Sequence, residues 1–380
     1  MDFELTEELL MVRDMARDFA VAELDPRARK HDLQCHIDEE VFGLIGELGF
    51  WGLTIPEQYG GAEMGSLELV LVLEELNRAD ASVGVTISVH NSLLGTPILK
   101  FGTESAKTKW LPKLATGEAI GCYCLTEPNA GSDAAAVQTR AVRDGEDWVI
   151  SGTKIWVTNG GIASVAIVYA RTDPDAPKAS GMSAFLVPLD SEGVKLGTPE
   201  KKTGIRASST LEIQFDDVRV GPDALIGEEG RGFQVAMDTL DGGRIGIASQ
   251  AVGIGRACLE ASIQYAGERE QFGRPIGHFQ AIQWKIADMA TRLDAARLLT
   301  WRAAMLRDKG ERCGVEAAQA KLAASTACNF AADECLQIHG GAGYTDDFHV
   351  ERLFRDARIT EIYEGATDIQ RIVIARGVMG

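Results

Sequence analysis

The hydrophobic period changes twice along these 380 residues, and that change restricts the fold more than any single motif does. Up to about residue 117 apolar residues recur at helical spacing, as in Leu44, Ile45 and Leu48, then Leu69, Val70, Val72, Leu73 and Leu76. Thr6 is placed to cap a first helix, with Glu7 and Glu8 in its first turn and Leu5 and Leu10 at staple positions. From about 118 the period becomes two: Trp148 and Ile150 follow an Asp144-Gly145 turn, and Ala184, Leu186, Pro188 and Leu211, Ile213, Phe215 repeat the alternation. After about 226 the chain returns to helical spacing. Ile282, Ile286, Met289, Leu293, Ala296 and Leu299 form one stripe, with Arg292 and Arg302 off it. A helix over about 279–308 is roughly 45 Å long, a length suited to a bundle or a subunit interface. The expected fold is therefore a multi-domain α+β chain. It has an N-terminal helical domain over 1–117, a central antiparallel β-barrel or sandwich over 118–226, and a C-terminal helical domain over 227–380.

Composition narrows the function. Hydrophobic residues make up 45% and charged residues 25%, an ordinary globular composition, and a chain of 380 residues is long enough to need no disulfide or metal to hold a core. The net charge of −18 argues against a nucleic-acid partner, whose phosphates call for Lys and Arg. No stretch of about 18 apolar residues is free of charge, so no membrane insertion is expected. Seven scattered cysteines, an odd number without paired spacing, point to reduced thiols. Cys122 and Cys124 stand two apart, on one face of any strand there. Cys35 lies between His31 and His36, yet no further ligand pair completes a metal site. The acidic start, Met1-Asp2-Phe3-Glu4-Leu5, has no signal-peptide or transit-peptide character. A cytoplasmic protein is expected, or one of the mitochondrial matrix after processing if the source is eukaryotic.

Several local patterns carry chemistry. Gly253-Ile254-Gly255 is a poor dinucleotide fingerprint, because Cys258 stands where the third glycine belongs and no strand precedes it; close helix packing explains it better. His339-Gly340-Gly341-Ala342-Gly343 lacks the Gly-x-Ser-x-Gly partner of a hydrolase, but offers backbone N–H groups beside a helix end. Two apolar strands end in polar turns: Cys122 to Leu125 runs into Thr126-Glu127-Pro128-Asn129-Ala130-Gly131-Ser132-Asp133, and Trp156-Val157-Thr158 runs into Asn159-Gly160-Gly161. Trp156 reads equally as barrel core or as a platform, and two such strand ends together suit a flat aromatic ligand. Near the C-terminus Thr367 and Gln370 have capping-box spacing, which starts a last helix through Ile372, Val373 and Ile374. Glu364 then stands in the turn before it, either as a solvated loop carboxylate or as a base whose pKa an apolar pocket raises.

These segments together resemble the acyl-CoA dehydrogenase family over essentially the whole chain. The residues that carry the resemblance are Cys124-Leu125-Thr126-Glu127-Pro128, Ala130-Gly131-Ser132-Asp133, Trp156-Val157-Thr158-Asn159, Arg269-Glu270-Gln271-Phe272-Gly273, Gln337-Ile338-His339-Gly340-Gly341 and Ile362-Tyr363-Glu364-Gly365. The resemblance implies a C-terminal four-helix bundle, FAD as cofactor, and a homotetramer built as a dimer of dimers. It implies that Tyr123, Leu125, Thr126, Trp156, Val157 and Thr158 lie against the flavin. Gly131 and Ser132 close that segment, and Ser132 touches both flavin and substrate. Arg269, Gln280, Gln337 and Gly341 match positions that hold the FAD pyrophosphate and adenosine across a subunit boundary, and Phe272, Gly340 and Asp368 are further FAD positions. Asp241, Arg244 and Gly365 match acyl-CoA positions, and Glu364 matches the catalytic base. Some members carry the base on the earlier helix, where this chain has Gly243. Ala366 departs from the usual Thr after the Glu-Gly pair, which removes any side-chain contact to FAD there.

The implied reaction is α,β-dehydrogenation of an acyl-CoA to the trans-2-enoyl-CoA. Glu364 takes the α-proton, hydride passes to flavin N5, and an electron-transferring flavoprotein receives the electrons. In the family the thioester oxygen is met by the backbone N–H of the base and a ribityl hydroxyl of FAD. Val83 to Leu93 resembles the pocket base of the short-chain branch, and glutaryl-CoA members carry an Arg about where Val85 stands. A short straight acyl chain is expected. A short 2-methyl-branched chain, or a non-catalytic flavoprotein subunit of an electron-transfer complex, remains the alternative.

Overall fold

The computed structural model describes residues 4–177 and 179–380; Met1 to Phe3, the first residues of the acidic start, lie outside it. The N-terminal part folds as α1 (Glu7–Phe19), α2 (Ala28–Gln34), α3 (Glu39–Glu47), α4 (Ser66–Ala79), α5 (Ala81–Ser88), α6 (Thr96–Phe101) and α7 (Glu104–Thr116). Thr6 caps α1 as its spacing predicts, its Oγ1 accepting the Leu9 N–H at 3.3 Å. The apolar residues of α4 serve two cores: Leu69, Val72, Leu73 and Leu76 face α1 and α3, and Val70 faces the C-terminal helices. A π-helical segment, Val89–Gly95, joins α5 to α6 and carries Leu93 toward the site described below. His31 is spent on Asp80 at 2.7 Å, and the described residues hold no cluster suited to a metal ion.

The strands are β1 (Gly121–Cys124), β2 (Arg140–Asp144), β3 (Asp147–Thr158), β4 (Val165–Arg171), β5 (Met182–Pro188), β6 (Val194–Leu196), β7 (Thr210–Val220) and β8 (Leu225–Ile226). They form one sheet in the order β6-β7-β3-β2-β4-β5-β8, with β1 beside β4. Most neighbours are antiparallel, but β1 runs parallel to β4, and β2 meets β4 in parallel at Arg140 and Arg171. Parallel pairing needs a long crossover, and the turn and hairpin over 125–164 supply it. The sheet wraps around an apolar interior in which Trp148, Ile150, Leu211, Ile213 and Phe215 meet Cys122, Cys124, Val168 and Phe185. The outward faces of β4 and β5 are buried as well: Ile167, Tyr169, Ala184 and Leu186 pack with Ile98 and Leu111 from the N-terminal helices and Val235 beyond the sheet. Period two shows one buried face, and tertiary packing here covers the second.

The C-terminal part is α8 (Gly232–Glu268), a hairpin of β9 (Glu270–Gln271) and β10 (Arg274–Pro275), α9 (Gln280–Asp308), α10 (Gly314–His339), α11 (Val350–Arg358) and α12 (Thr367–Met379). Helix α8 has 37 residues, and roughly 55 Å of helix threads the core. The stripe on α9 faces inward as spaced, with Met289, Leu293 and Ala296 buried and Ile282, Ile286 and Leu299 packed at its margin. Gly253 and Gly255 serve packing: a Cβ at Gly253 would stand 2.5 Å from the Glu74 carbonyl oxygen of α4, and one at Gly255 would strike Leu293 of α9. The expected Thr367–Gln370 capping box does not form. Ala366 is the N-cap, the Thr367 hydroxyl donates to the Glu361 carbonyl at 3.1 Å, and the Gln370 amide turns back to Gly365 O at 2.8 Å. The preceding turn presents carbonyls to that side chain, and these win its donors.

A buried ionic cluster ties α1 and α4 to α8 and α9. Glu75 of α4 pairs with Arg256 of α8 and, at 2.9 Å, with Arg17 of α1; Glu74 meets Arg256 at 2.8 Å and Arg297 of α9 at 3.0 Å. Glu75 is 1% exposed, so its removal leaves cationic groups in a poorly solvated space. Glu75→Ala is expected to cost about 3–5 kcal/mol, read as a lower denaturant midpoint; a loss under about 1 kcal/mol would show the cluster to behave like a surface pair.

Candidate active site

Two strand ends and one turn build the site. The first strand end is fixed from below by a buried lysine. Lys154 of β3 is fully buried, and its Nζ donates to Leu125 O at 3.0 Å and to Glu127 Oε1 at 2.7 Å. Burial pushes the Glu127 carboxyl up, but the Lys154 ammonium and the Gln138 and Thr139 N–H donors outweigh it and hold it below the usual carboxylate range. Thr126 O accepts the Ile155 N–H at 2.9 Å, which sets the turn after β1 beside the end of β3. A bulge between Lys154 and Val157 then breaks the alternation of β3. Trp156 takes a left-handed φ of 59° and its residue is 58% exposed, so it is not barrel core. Asn159, also left-handed and fully buried, locks the second strand end by donating to Thr86 O at 3.1 Å and Gly121 O at 3.2 Å.

The turn carries Glu364. Glu364 and Gly365 both have positive φ, 49° and 93°. A carboxylate residue is seldom found there, so the turn is held by its surroundings. Gly365 O accepts from Gln370 Nε2 and, at 2.7 Å, from Lys321 Nζ of α10. The Glu364 carboxylate lies over Gly243 of α8, where a Cβ would fall on its Oε2. That Oε2 is buried and has no hydrogen-bond partner. The same is true of the Tyr123 hydroxyl and of Arg244 Nε, so three polar groups of this site are left open to a ligand. Burial pushes the Glu364 carboxyl up to about 7, against the pull of Lys321 and Arg244. Burial first, then Tyr169 and Glu364, hold the Tyr123 phenol well above its ordinary value. Arg244 Nη1 donates to Asp241 Oδ1 at 2.6 Å, and desolvation still leaves the Asp241 carboxyl above its usual range.

The expected residues thus divide in two. Tyr123, Leu125 and Thr126 stand with Trp156, Val157 and Thr158 at paired strand ends, while Arg244 reaches the Glu364–Gly365 turn from α8 and Asp241 lies behind it against Gly314 at the start of α10. Gly131 and Ser132 are exposed in the loop after Thr126. Arg269, Phe272 and Gln280 lie at the β9–β10 hairpin and the start of α9, and Gln337, Gly340 and Gly341 at the end of α10; all six are exposed. Asp368 is exposed in the first turn of α12 and pairs with Arg371 at 2.9 Å. Ala366 sits at the N-cap, where only its backbone is in use. The exposed indole at one strand end and the partnerless Tyr123 hydroxyl at the other fit a flat ring system with polar edges. The residues present therefore suit FAD. Sequence reasoning missed Lys154, Lys321 and Gln370. The first two had a signal: Lys154 is in phase with Trp148 and Ile150, and Lys321 is in phase with Ala317, Ala324 and Cys328 on the buried face of α10.

Comparison with known proteins bears on this arrangement. The acyl-CoA dehydrogenase N-terminal domain description matches residues 6–118, the middle domain 122–218 and the C-terminal domain 230–379. A short-chain specific acyl-CoA dehydrogenase, mitochondrial, of Bos taurus is 50% identical over 372 residues, covering 98% of this chain and 90% of that protein. The solved butyryl-CoA dehydrogenase of Megasphaera elsdenii superposes with a TM-score of 0.98 at 40% identity, covering 100% of both chains. A chain solved in work on the electron transferring flavoprotein of Acidaminococcus fermentans also superposes with a TM-score of 0.98, at 44% identity and 100% coverage of both.

The close approach at Gly243 is testable by itself. Gly243→Ala is expected to displace the Glu364 carboxylate, because the new methyl takes the place of Oε2. A crystal structure of the variant with the carboxylate unmoved would contradict the contact.

Proposed function

The chain belongs to the acyl-CoA dehydrogenase family, and from that premise we propose that it dehydrogenates a short-chain acyl-CoA across the α,β bond, with Glu364 as the base. Members are FAD-bearing oxidoreductases that act on CH–CH bonds, and this chain is one of them. The observation that carries the finer reading is Glu364 itself: a buried carboxyl with a partnerless oxygen, in a strained turn and raised to about 7. A base for a weakly acidic α-proton works best with a pKa near the working pH.

The residues divide the work as follows. Glu364 takes the α-proton on Oε2. Its backbone N–H, presented by the left-handed turn, is the donor for the thioester oxygen as negative charge develops there. Arg244 and Asp241, which hold each other on α8, line the acyl-CoA channel, and Trp156, Thr158, Thr126 and Tyr123 hold the flavin. Ser132 meets both ligands, and Gly365 lies beside the acyl-CoA. FAD, when bound, supplies the acceptor for the β-hydrogen as hydride at N5. Phe272, Arg269, Gln280, Gln337, Gly340, Gly341 and Asp368 meet the FAD of a neighbouring copy in a tetramer. Their exposure supports this, as do Phe272 at 95% and Trp284 at 64% exposure near one end of α9.

Three features favour a short, uncharged acyl chain. At Gly243 and Gly246 one face of α8 is taken up closely by Glu364, Leu93 and Ser88, and Gln250 fills that face one turn on, fully buried and bonded to Ala81 O at 3.1 Å and to the Tyr363 hydroxyl. Val85 is fully buried with Leu93 and Ile245, so a dicarboxylic acyl group would meet no cation there. Relatives named short-chain specific point the same way. The electron acceptor is an electron-transferring flavoprotein on this reading, which the similarity to the Acidaminococcus chain supports. Among the described residues no helix is long and apolar enough to cross a membrane.

Glu364→Gln is expected to keep its FAD and to lose at least the roughly 10²–10⁴-fold that general-base catalysis contributes. Anaerobic bleaching of the flavin by butyryl-CoA at the wild-type rate would sink the assignment. The pH dependence has a definite sign. A raised pKa leaves Glu364 mostly neutral below about 7, so flavin reduction at limiting substrate rises with pH and levels above about 7. A flat profile from about pH 5 to 8 would contradict this. Reduction rates across a panel of acyl-CoAs separate butyryl from branched and dicarboxylic substrates, and no bleaching by any of them would favour a binding subunit.

A further inference from the structure

Lys321 is the charged group at this site to which the proposed reaction gives no task. It lies on α10 and is fully buried, and its Nζ donates to Gly365 O at 2.7 Å. That carbonyl already accepts from Gln370 Nε2 at 2.8 Å, so satisfying it does not require a second donor. An ammonium is a costly way to supply one: its burial is opposed by desolvation, and a methionine of similar volume would fill the space without that cost. Among the described residues no carboxylate lies within ion-pairing distance of it, so its charge is not consumed by a salt bridge. By contrast, Arg244 gives Nη1 to Asp241.

We propose that Lys321 is a positioning residue for Glu364, fixing the Glu364–Gly365 turn through the Gly365 carbonyl and placing a positive charge beside the carboxylate. The inference rests on Glu364 being the base. The other groups around the pair are Arg244 and Asp241 from α8, Glu361 and Tyr363 from the segment before the turn, and Tyr123 from β1. Lys321 and then Arg244 support the carboxylate against its burial, and Glu361, itself paired with Arg358, acts on the Lys321 ammonium. Burial pushes the Lys321 ammonium down to about 8 and Glu364 up to about 7, while each charge draws the other back toward its ionised form. Removing the ammonium therefore raises the pKa of Glu364 and moves the rising part of the pH profile to higher pH.

The test is anaerobic stopped-flow reduction of the FAD-loaded enzyme by limiting butyryl-CoA, from about pH 5 to 9. In Lys321→Met the rising limb is expected to move up by about one pH unit, so that the rate near pH 6 falls about tenfold and largely recovers at the alkaline end. Lys321→Arg keeps the charge and is expected to hold the wild-type limb. A Met variant whose limb stays in place, slower or not, overturns the proposal, because a strut would lower the rate at every pH alike. Should the Met variant fail to hold FAD, Lys321→Gln is read in the same way, and a displaced limb in the Arg variant overturns the proposal independently. Glu364→Gln run in parallel separates the two claims. If it reduces flavin like wild type, the base assignment falls; if it is inactive while Lys321→Met titrates like wild type, only the role of Lys321 falls.

Discussion

Much of the architecture depends on side chains that are missing from α8. At Gly253 the backbone of α4 comes within reach, at Gly255 Leu293 of α9 does, at Gly246 Ser88 of α5, and at Gly243 the carboxylate of Glu364. Each contact exists because no Cβ stands in the way. Ordinary helix pairs keep their axes 8–10 Å apart, and a helix with glycines at its crossings lets its neighbours in more closely. The cost is intrinsic, since each interior glycine weakens a helix by about 0.5–1 kcal/mol relative to alanine. Burial repays it: Gly242 to Gly255 is almost continuously inside the core. The same helix that organises the bundle thus leaves the free space in which the carboxylate turn sits.

Buried charge is the second theme, and it is used in two ways. Lys154 with Glu127, and Glu74 and Glu75 with Arg256 and Arg297, are closed clusters in which every charge has a counter-charge within hydrogen-bond reach. They pin strands and helices in one register. The group around Glu364 is open by contrast. Its carboxylate oxygen, the Tyr123 hydroxyl and Arg244 Nε lack partners, and the charges shift one another's proton affinity instead of cancelling. Left-handed backbone occurs here too, at Trp156, Asn159 and Glu364, as it does at positions away from the site such as Cys35, Glu63, Ile205 and Asp217.

The sequence was legible where one interaction decides the outcome. Thr6 caps α1, the α9 stripe faces inward, and Cys122 and Cys124 share the sheet interior, because capping, helical period and strand alternation are local. It was illegible where tertiary partners compete. The amide of Gln370 had capping spacing but was taken by the carbonyls of the Glu364–Gly365 turn. Trp156 read equally as core or platform, since nothing local announced the bulge that turns it outward. Lys321 sits among alanines in phase with a buried face, and only the opposing turn explains why a charge lies there. Glu364 itself could be named from its motif, but its proton affinity depends on residues from α8 and α10 more than forty positions away.

The two-sided burial of β4 and β5 has a bearing on how the chain is made. Their outward face is covered by helices that precede the sheet and by the start of α8, which follows it. During synthesis the strands emerge before that last cover does. A growing chain that has just completed β5 therefore presents Ala184 and Leu186 beside Ile167 and Tyr169 as an oily, strand-rich surface. It stays open until α8 has left the ribosome. Exposed apolar strands of this kind are where nascent chains associate wrongly, so α8 completes the cover that the preceding helices begin.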